Sequence, residues 1–396
     1  MTAQPAAAPL TIATDFGARA AAWFDGNTPA GFHADRTDYA APDLAACRAY
    51  EAAMHRAGLA GITWPTDYGG HGLTLREHLA MSREFGARAL PESVNSIGKE
   101  LCGPVIQAVG SAAQKAALLP RILDMTEIWC QGFSEPEAGS DLASLRTTAV
   151  RDGDHYVING QKTWTTLGQY ADWIFLLART DPGAPKKQAG ISFILAEMST
   201  PGITLRPIKL IDGSYEVNEV WFEDVRVPAD QLVGEENAGW SYAKFLLSNE
   251  RNGIARVGTS KAWLADVKER AAKTAVGDRT LLEEPLFAAR VAEIENELLA
   301  LELTQLRVSG DEGTGKPNPA SSILKLRGSQ LQQAVTELLV EVAGSDGLPF
   351  EAPEVPDSPA WAQHAAPKYL NYRKTSIYGG SNEIQRTIIS STILGL

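Results

Sequence analysis

The apolar residues of this chain change period twice, and that change dictates its plan. From residue 43 to 125 they recur at helical spacing, as in Leu44, Cys47, Tyr50, Met54 and Leu59, with stops at Gly61, at Gly69-Gly70 and at Gly103-Pro104. At about Trp129 the period falls to two. Residues 146–150 and 155–158 read as strands joined by the turn dipeptide Asp152-Gly153, and β-branched and aromatic runs follow at 173–178, 191–195, 203–208 and 217–225. Helical spacing resumes at Ala238 and is clearest over 286–306, where Ile294, Leu298, Leu301 and Leu306 are interspersed with Glu and Gln. Residues 311–319 read as a surface loop and 351–366, rich in Pro and Ala, as an irregular excursion. The architecture is therefore helices, an all-β module, then helices.

Composition narrows the function classes. The 396 residues suit two or three domains, and 44% hydrophobic with 21% charged residues marks a globular chain. A net charge of -12 repels phosphate backbones, so nucleic acid is not an expected partner. Cys47, Cys102 and Cys130 lack any C-x-x-C spacing and read as buried thiols of a reducing compartment. The N-terminus shows no leader pattern and no run reaches the roughly 18 apolar residues of a membrane span, so a soluble cytoplasmic protein is expected, with no membrane partner. The six histidines form no H-x-x-x-H or H-E-x-x-H pair, so no metal site is expected. Phosphate-loop, nucleophile-elbow and G-x-G-x-x-G signatures are missing, which leaves a carboxylate or an organic cofactor to carry any chemistry.

Three segments gather small, hydroxylated and aromatic residues. In residues 132–141, Gly139 permits close backbone approach while Ser134 and Ser140 offer donors. In residues 159–166, Trp164 beside Thr163, Thr165 and Thr166 suits a flat, polar-edged ring. In residues 378–386, Gly379 and Gly380 precede a helical run. Turn chemistry between modules is the better account of each one alone.

Their order and spacing resemble the acyl-CoA dehydrogenase family. The matching pieces are Gly61-Ile62-Thr63-Trp64-Pro65 with Tyr68-Gly69-Gly70-His71-Gly72, Gln114-Lys115 with Leu119-Pro120, Ser134-Glu135-Pro136 with Gly139-Ser140-Asp141, and Asn159-Gly160-Gln161-Lys162 with Trp164. Phe222 to Pro228, Gly234 to Trp240, Glu250-Arg251 and Ser381-Asn382-Glu383-Ile384-Gln385-Arg386 complete the series. The resemblance implies an α+β multi-domain fold: an N-terminal helical domain (1–128), a central β-barrel (129–236) and a C-terminal four-helix bundle (237–396).

It also implies FAD as cofactor and an acyl-CoA as substrate. Phe133, Ser134 and Gly139 would lie along the flavin edge, Trp164 and Thr166 would meet its ring system, and Ser381 and Glu383 would lie near its ribityl and phosphate portion. Ser140, Arg251 and Tyr378 would contact the substrate. The chemistry would be removal of the α-proton and transfer of the β-hydrogen as hydride, giving a trans-2-enoyl-CoA, with electrons passed to an electron-transfer flavoprotein. An α-C–H beside a thioester is a weak acid, so a carboxylate base in a dry site and a donor for the enolate oxygen are required, the latter implied to be the Gly379 N–H.

Two departures from the family pattern stand out. Many members carry the base directly after the aromatic residue of the C-terminal motif, where this chain has Gly379. A minority carry it on an earlier bundle helix before an Arg, and Glu250-Arg251 match that placement. The second departure concerns the segments by which a neighbouring subunit grips the adenine end of FAD. They are degraded here to residues 278–285 and 340–345. That loss implies a heterotetramer with a homologous partner subunit, the alternative being a homo-oligomer. An acyl-CoA oxidase, a β-eliminating relative and a largely non-catalytic supporting subunit also remain open.

Overall fold

A computed structural model describes residues 15–29, 32, 43–88, 90–310, 318–348 and 358–396; the side chains of 248–254, 309, 310 and 360 lie outside the description. The first helices are α1 (Asp15–Asn27), α2 (Leu44–Arg56), α3 (Leu75–Ala87), α4 (Gly103–Val109) and α5 (Ala112–Leu123), with a π-helical turn at Ile97–Cys102. Their starts follow from the sequence. Asp43 accepts the Ala46 N–H ahead of α2, and Thr74 with Glu77 and Ser111 with Gln114 form reciprocal caps on α3 and α5. Gln114 also donates to the carbonyls of Asp230 and Leu232, at 2.7 and 3.0 Å, tying the helices to the β module.

The β module comprises β1 (Trp129–Gly132), β2 (Thr148–Asp152), β3 (His155–Thr166), β4 (Trp173–Arg179), β5 (Ile191–Glu197), β6 (Ile203–Ile208) and β7 (Val217–Pro228). They form one curled sheet in the order β1-β4-β2-β3-β7-β6, with β5 also paired to β4. β4 and β5 are buried along nearly their whole length, because both faces are covered. Ile174, Leu176 and Ile194 face the sheet interior with Phe222 and Val225, while Phe175, Leu177, Phe193 and Leu195 pack with Phe133 and the helices.

The C-terminal part has α6 (Gly239–Ile254), α7 (Val257–Ala271), a two-strand hairpin of β8 (Ala275–Val276) and β9 (Arg279–Thr280), α8 (Pro285–Gly310) and α9 (Ser321–Ala343). Three shorter helices follow: α10 (Ala360–Gln363), α11 (Ala365–Asn371) and α12 (Asn382–Ile388). α6, α7 and α8 all pack on α9, around Trp263, Leu298, Leu331, Val335 and Leu338. All three cysteines are buried and none is in a disulfide. No described helix is long and apolar enough to cross a membrane.

Two local expectations are corrected. The strand read at 155–158 runs on to Thr166, because irregularities between Ile158 and Gly160 and between Lys162 and Thr165 let the polar stretch keep pairing with β7. The excursion read at 351–366 contains α10 and the start of α11 in its described part. Residues 351–357, and 311–317 of the expected loop, lie outside the described residues.

Gly328 lets α9 close on the link after α6. A Cβ there would stand 2.6 Å from the Ala255 Cα, a backbone atom that cannot swing away. Gly328→Ala is therefore expected to lower stability by about 1–3 kcal/mol in chemical unfolding. Gly139→Ala, whose Cβ meets nothing within 4 Å, is the neutral control.

Candidate active site

The site is built outward from a buried ion pair. Alternation along β3 puts Lys162 on the inner face, fully buried, where its Nζ donates to Glu135 Oε1 at 2.7 Å and to the Phe133 carbonyl at 3.2 Å. Glu135 also accepts the backbone N–H groups of Arg146 (2.6 Å) and Thr147 (2.9 Å). Burial pushes the Lys162 ammonium down to about 8. Burial acts to raise the Glu135 carboxyl, but Lys162 and the donors around it carry the net value below the ordinary one. The pair thereby holds residues 133–135 against β3, and the Thr163 N–H donates to the Ser134 carbonyl at 2.9 Å.

The ring of Phe133 belongs to the core, edge-on to Phe175 and Phe193, so it has only its backbone to offer a ligand. Ser134 is half-buried, and Gly139 and Ser140 are exposed on the turn that follows. Trp164 sits at the second irregularity of β3 with a left-handed φ of 60° and is 57% exposed. Beside it Thr165 Oγ1 is buried without a hydrogen-bond partner, and Thr166 is half-buried. An uncovered indole flanked by an unpartnered hydroxyl is a shelf for a flat ring with polar edges.

The C-terminal segment is clamped from two sides. Asn371 Nδ2 donates to Asp212 (2.6 Å) and Glu216 (3.2 Å), and Lys374 pairs with Glu216. The Glu216 carbonyl accepts the Leu167 N–H at 2.8 Å, directly after Thr166. On the bundle side, Lys325 and Ser329 of α9 both reach Asn382 Oδ1 at 3.1 Å. The turn between these anchors holds Tyr378, half-buried, then Gly379 and Gly380 with φ of 63° and 81°. Buried Gln385 donates to both glycine carbonyls, and among the described residues the Gly379 N–H has no hydrogen-bond partner. Ser381 caps α12. The exposed Glu383 is held below the usual carboxylate range by its own backbone N–H and the Ser381 hydroxyl, so it serves the helix start.

Glu250 and Arg251 fall in the last turns of α6, with side chains outside the described residues. Two residues past that helix, Arg256 donates to the Tyr372 hydroxyl at 2.9 Å and pairs with Glu92 at 2.5 Å, tying the end of α6 to the C-terminal segment. The sequence reading missed the pairs Lys162–Glu135, Lys374–Glu216 and Arg256–Glu92. The first was discoverable, since Tyr156, Ile158 and Lys162 share one face of β3; the others join residues more than a hundred apart and leave no local signal.

Three family models match: acyl-CoA dehydrogenase, N-terminal domain, over residues 32–126, the middle domain over 130–225 and the C-terminal domain over 237–394. The chain belongs to the acyl-CoA dehydrogenase family. It is an FAD-dependent oxidoreductase of that family, and the uncovered Trp164 indole with the unpartnered Thr165 hydroxyl beside it fits such a cofactor. Among similar proteins, acyl-CoA dehydrogenase IpdE1 of Mycobacterium tuberculosis is 39% identical over 88% of each chain. Among solved structures, the ChsE4-ChsE5 complex of Mycobacterium tuberculosis matches with a TM-score of 0.81 at 30% identity, over 100% of this chain and 99% of that one. The Tcur3481-Tcur3483 steroid ACAD matches with a TM-score of 0.83 at 28% identity, over 98% and 99%.

Trp164→Ala separates cofactor binding from folding. Because the indole is uncovered in the chain alone, its removal should leave unfolding of the flavin-free protein within about 0.5 kcal/mol of wild type. FAD retention, followed by equilibrium dialysis, should weaken about tenfold or more, since the exposed apolar face loses its cover.

Proposed function

We propose that this acyl-CoA dehydrogenase removes the α-proton and β-hydrogen of an acyl-CoA thioester to give a trans-2-enoyl-CoA. The observation that carries the reading is the tie between α6 and the C-terminal turn, through Arg256–Tyr372 and through their shared packing on α9. On this reading the helix of Glu250 faces the substrate from one side and Tyr378, Gly379 and Gly380 from the other. Glu250 is the proposed α-proton base, with no carboxylate at position 379 to compete. The unpartnered Gly379 N–H is the proposed donor to the thioester oxygen as enolate charge develops. Ser134, Gly139, Trp164, Thr166 and Ser381, with the Phe133 backbone, are the proposed cofactor contacts, and Ser140, Arg251 and Tyr378 the substrate contacts; Glu383, committed to the start of α12, keeps at most a marginal place. Bound FAD supplies the acceptor for the hydride, and we propose an electron-transfer flavoprotein as the onward acceptor. We retain 1–128, 129–236 and 237–396 as the proposed domain limits.

Glu250→Gln is expected to keep FAD and to lower the rate of flavin bleaching by an accepted acyl-CoA about 100- to 10,000-fold. Near-wild-type single-turnover reduction would remove Glu250 from the chemistry.

We also propose assembly with a homologous chain. The degraded stretch 278–285 holds the second strand of the β8–β9 hairpin and a capped 3-10 turn at Leu281–Glu283, and Arg290, a candidate replacement for phosphate contacts, is already engaged by Glu341 and Glu337 of α9. In a symmetric homo-oligomer such a loss weakens every cofactor site at once, whereas a partner chain can supply it. Leu299 and Leu303, one turn apart on α8 and each 54% exposed, offer apolar surface for association. Expressed alone, the chain should hold FAD weakly; with its partner, light scattering and flavin quantification should give about one FAD per two polypeptides. A homotetramer holding one FAD per subunit would overturn this assembly.

A further inference from the structure

The turn before α12 cannot choose its own shape. Gly379 and Gly380 have no side chains, and glycine enters left-handed backbone about as readily as ordinary backbone, so something outside them must select φ of 63° and 81°. Upstream, the Tyr378 N–H is tied to the Lys374 carbonyl at 3.2 Å. Downstream, one side chain does the rest. Gln385, fully buried on α12, donates from Nε2 to the Gly379 carbonyl at 3.1 Å and to the Gly380 carbonyl at 3.0 Å. A Cβ at Gly380 would stand 2.7 Å from that nitrogen, so glycine is what lets the amide come so close. The helix carrying the amide is itself fixed, because Lys325 and Ser329 of α9 both hold Asn382 at 3.1 Å. The other end of the amide is left unmet: among the described residues Gln385 Oε1 is buried without a hydrogen-bond partner. Exchanging its oxygen and nitrogen would set the oxygen against two carbonyls, so the orientation is forced. An orphaned buried acceptor is a cost, and here it is tolerated alongside the grip on the turn.

We propose that Gln385 is a positioning residue for the reaction: by fixing the carbonyls of Gly379 and Gly380 it fixes the direction of the Gly379 N–H, and with it the polarisation of the thioester carbonyl. This rests on the dehydrogenation reading above, in which that N–H takes up enolate charge. The peptide that carries the N–H lies between two anchors, the Tyr378–Lys374 bond before it and the Gln385 amide after it. The N–H itself has no partner among the described residues. It is therefore held in place yet free to donate, the condition for a group that needs no reorganisation when charge develops. Gln385 acts only through the backbone and touches no reacting atom on this assignment. Without its amide two adjacent glycines have no fixed shape, and a displacement of about 1 Å in a catalytic group can cost about 100-fold in rate.

The test uses the FAD-loaded protein, with its partner chain if FAD retention requires one. Its first readout is the infrared stretch of an isotope-labelled thioester carbonyl in bound 3-cyclohexylprop-2-enoyl-CoA, a product-state probe that does not reduce the flavin. Wild type should lower that stretch relative to the free thioester, and Gln385→Met, of similar length but without donors, should return most of the shift. The second readout is anaerobic flavin reduction by 3-cyclohexylpropanoyl-CoA. Gln385→Met should slow it about 10- to 100-fold while the dissociation constant stays within about threefold of wild type. A residue that only supported the fold would change stability and FAD content but leave the carbonyl stretch of the folded, loaded protein where it was. Gln385→Glu, of the same shape but with at most one donor for two carbonyls, should fall between, and it carries the test if Gln385→Met does not fold. A wild-type stretch and rate in these variants would overturn the role of Gln385. A wild-type stretch equal to that of the free thioester overturns the Gly379 donor, and Gln385 with it. If the stretch responds as expected but wild type does not reduce its flavin, the dehydrogenation reading fails separately and the positioning role stands.

Discussion

The site depends on one buried ion pair. Lys162 lies on β3 and Glu135 on the segment after β1, and neither can be buried charged without the other, since an isolated charge in such an interior costs several kcal/mol. Together they hold the chain after β1 against β3, and Glu135 takes up two backbone N–H groups that the turn at 146–147 would otherwise leave unmet. The pair is a specifying device more than a stabilising one. An apolar replacement could match its stability, but it could not hold the carbonyl of Phe133 and the backbone of Arg146 and Thr147 in one geometry. That geometry sets Ser134 beside Thr163 and leaves Trp164 turned out on a left-handed backbone.

The second half of the site is positioned through α9. Its inner face is unusually polar for a central bundle helix, with Lys325, Ser329, Gln332 and Thr336 buried. Lys325 and Ser329 grip Asn382, while Gln333, from an adjoining face, grips the carbonyls of Tyr372 and Arg373. A helix so equipped does two things at once. Its apolar residues close the bundle, and its polar residues orient a short, irregular segment that has too little apolar surface to hold itself. Glu216 completes the arrangement from the β module, receiving Lys374 with its carboxylate and Leu167 with its carbonyl.

The layer plan was legible because periodicity is a local property: the changes near Trp129 and Ala238 are visible without knowing any partner. The loop of the third site segment was legible for a similar reason, since Gly379 and Gly380 mark left-handed backbone that other residues rarely adopt; Gly139 differs, because its backbone is ordinary and a Cβ there would meet nothing within 4 Å. The extension of β3 to Thr166 was not, because its polar residues pair through irregularities that break the alternation. The ion pairs Lys374–Glu216 and Arg256–Glu92 were not either. Each is a long-range consequence of packing, and a single Lys, Arg or Glu in the sequence looks the same whether it ends in solvent or beneath another domain.

The glycine at position 379 is more than the loss of a carboxylate. Both Gly379 and Gly380 adopt left-handed backbone, and Gln385 binds both carbonyls in that conformation. A side chain at 379 would have to accept about 1–2 kcal/mol of backbone strain or release the turn from Gln385. Returning a Glu to this position would therefore do more than add a base: it would disturb the N–H proposed to meet the thioester oxygen. With the proposed base on α6, the turn is left to be shaped by glycine alone, so the proposed Glu on the earlier helix and the Gly in the turn suit one backbone geometry.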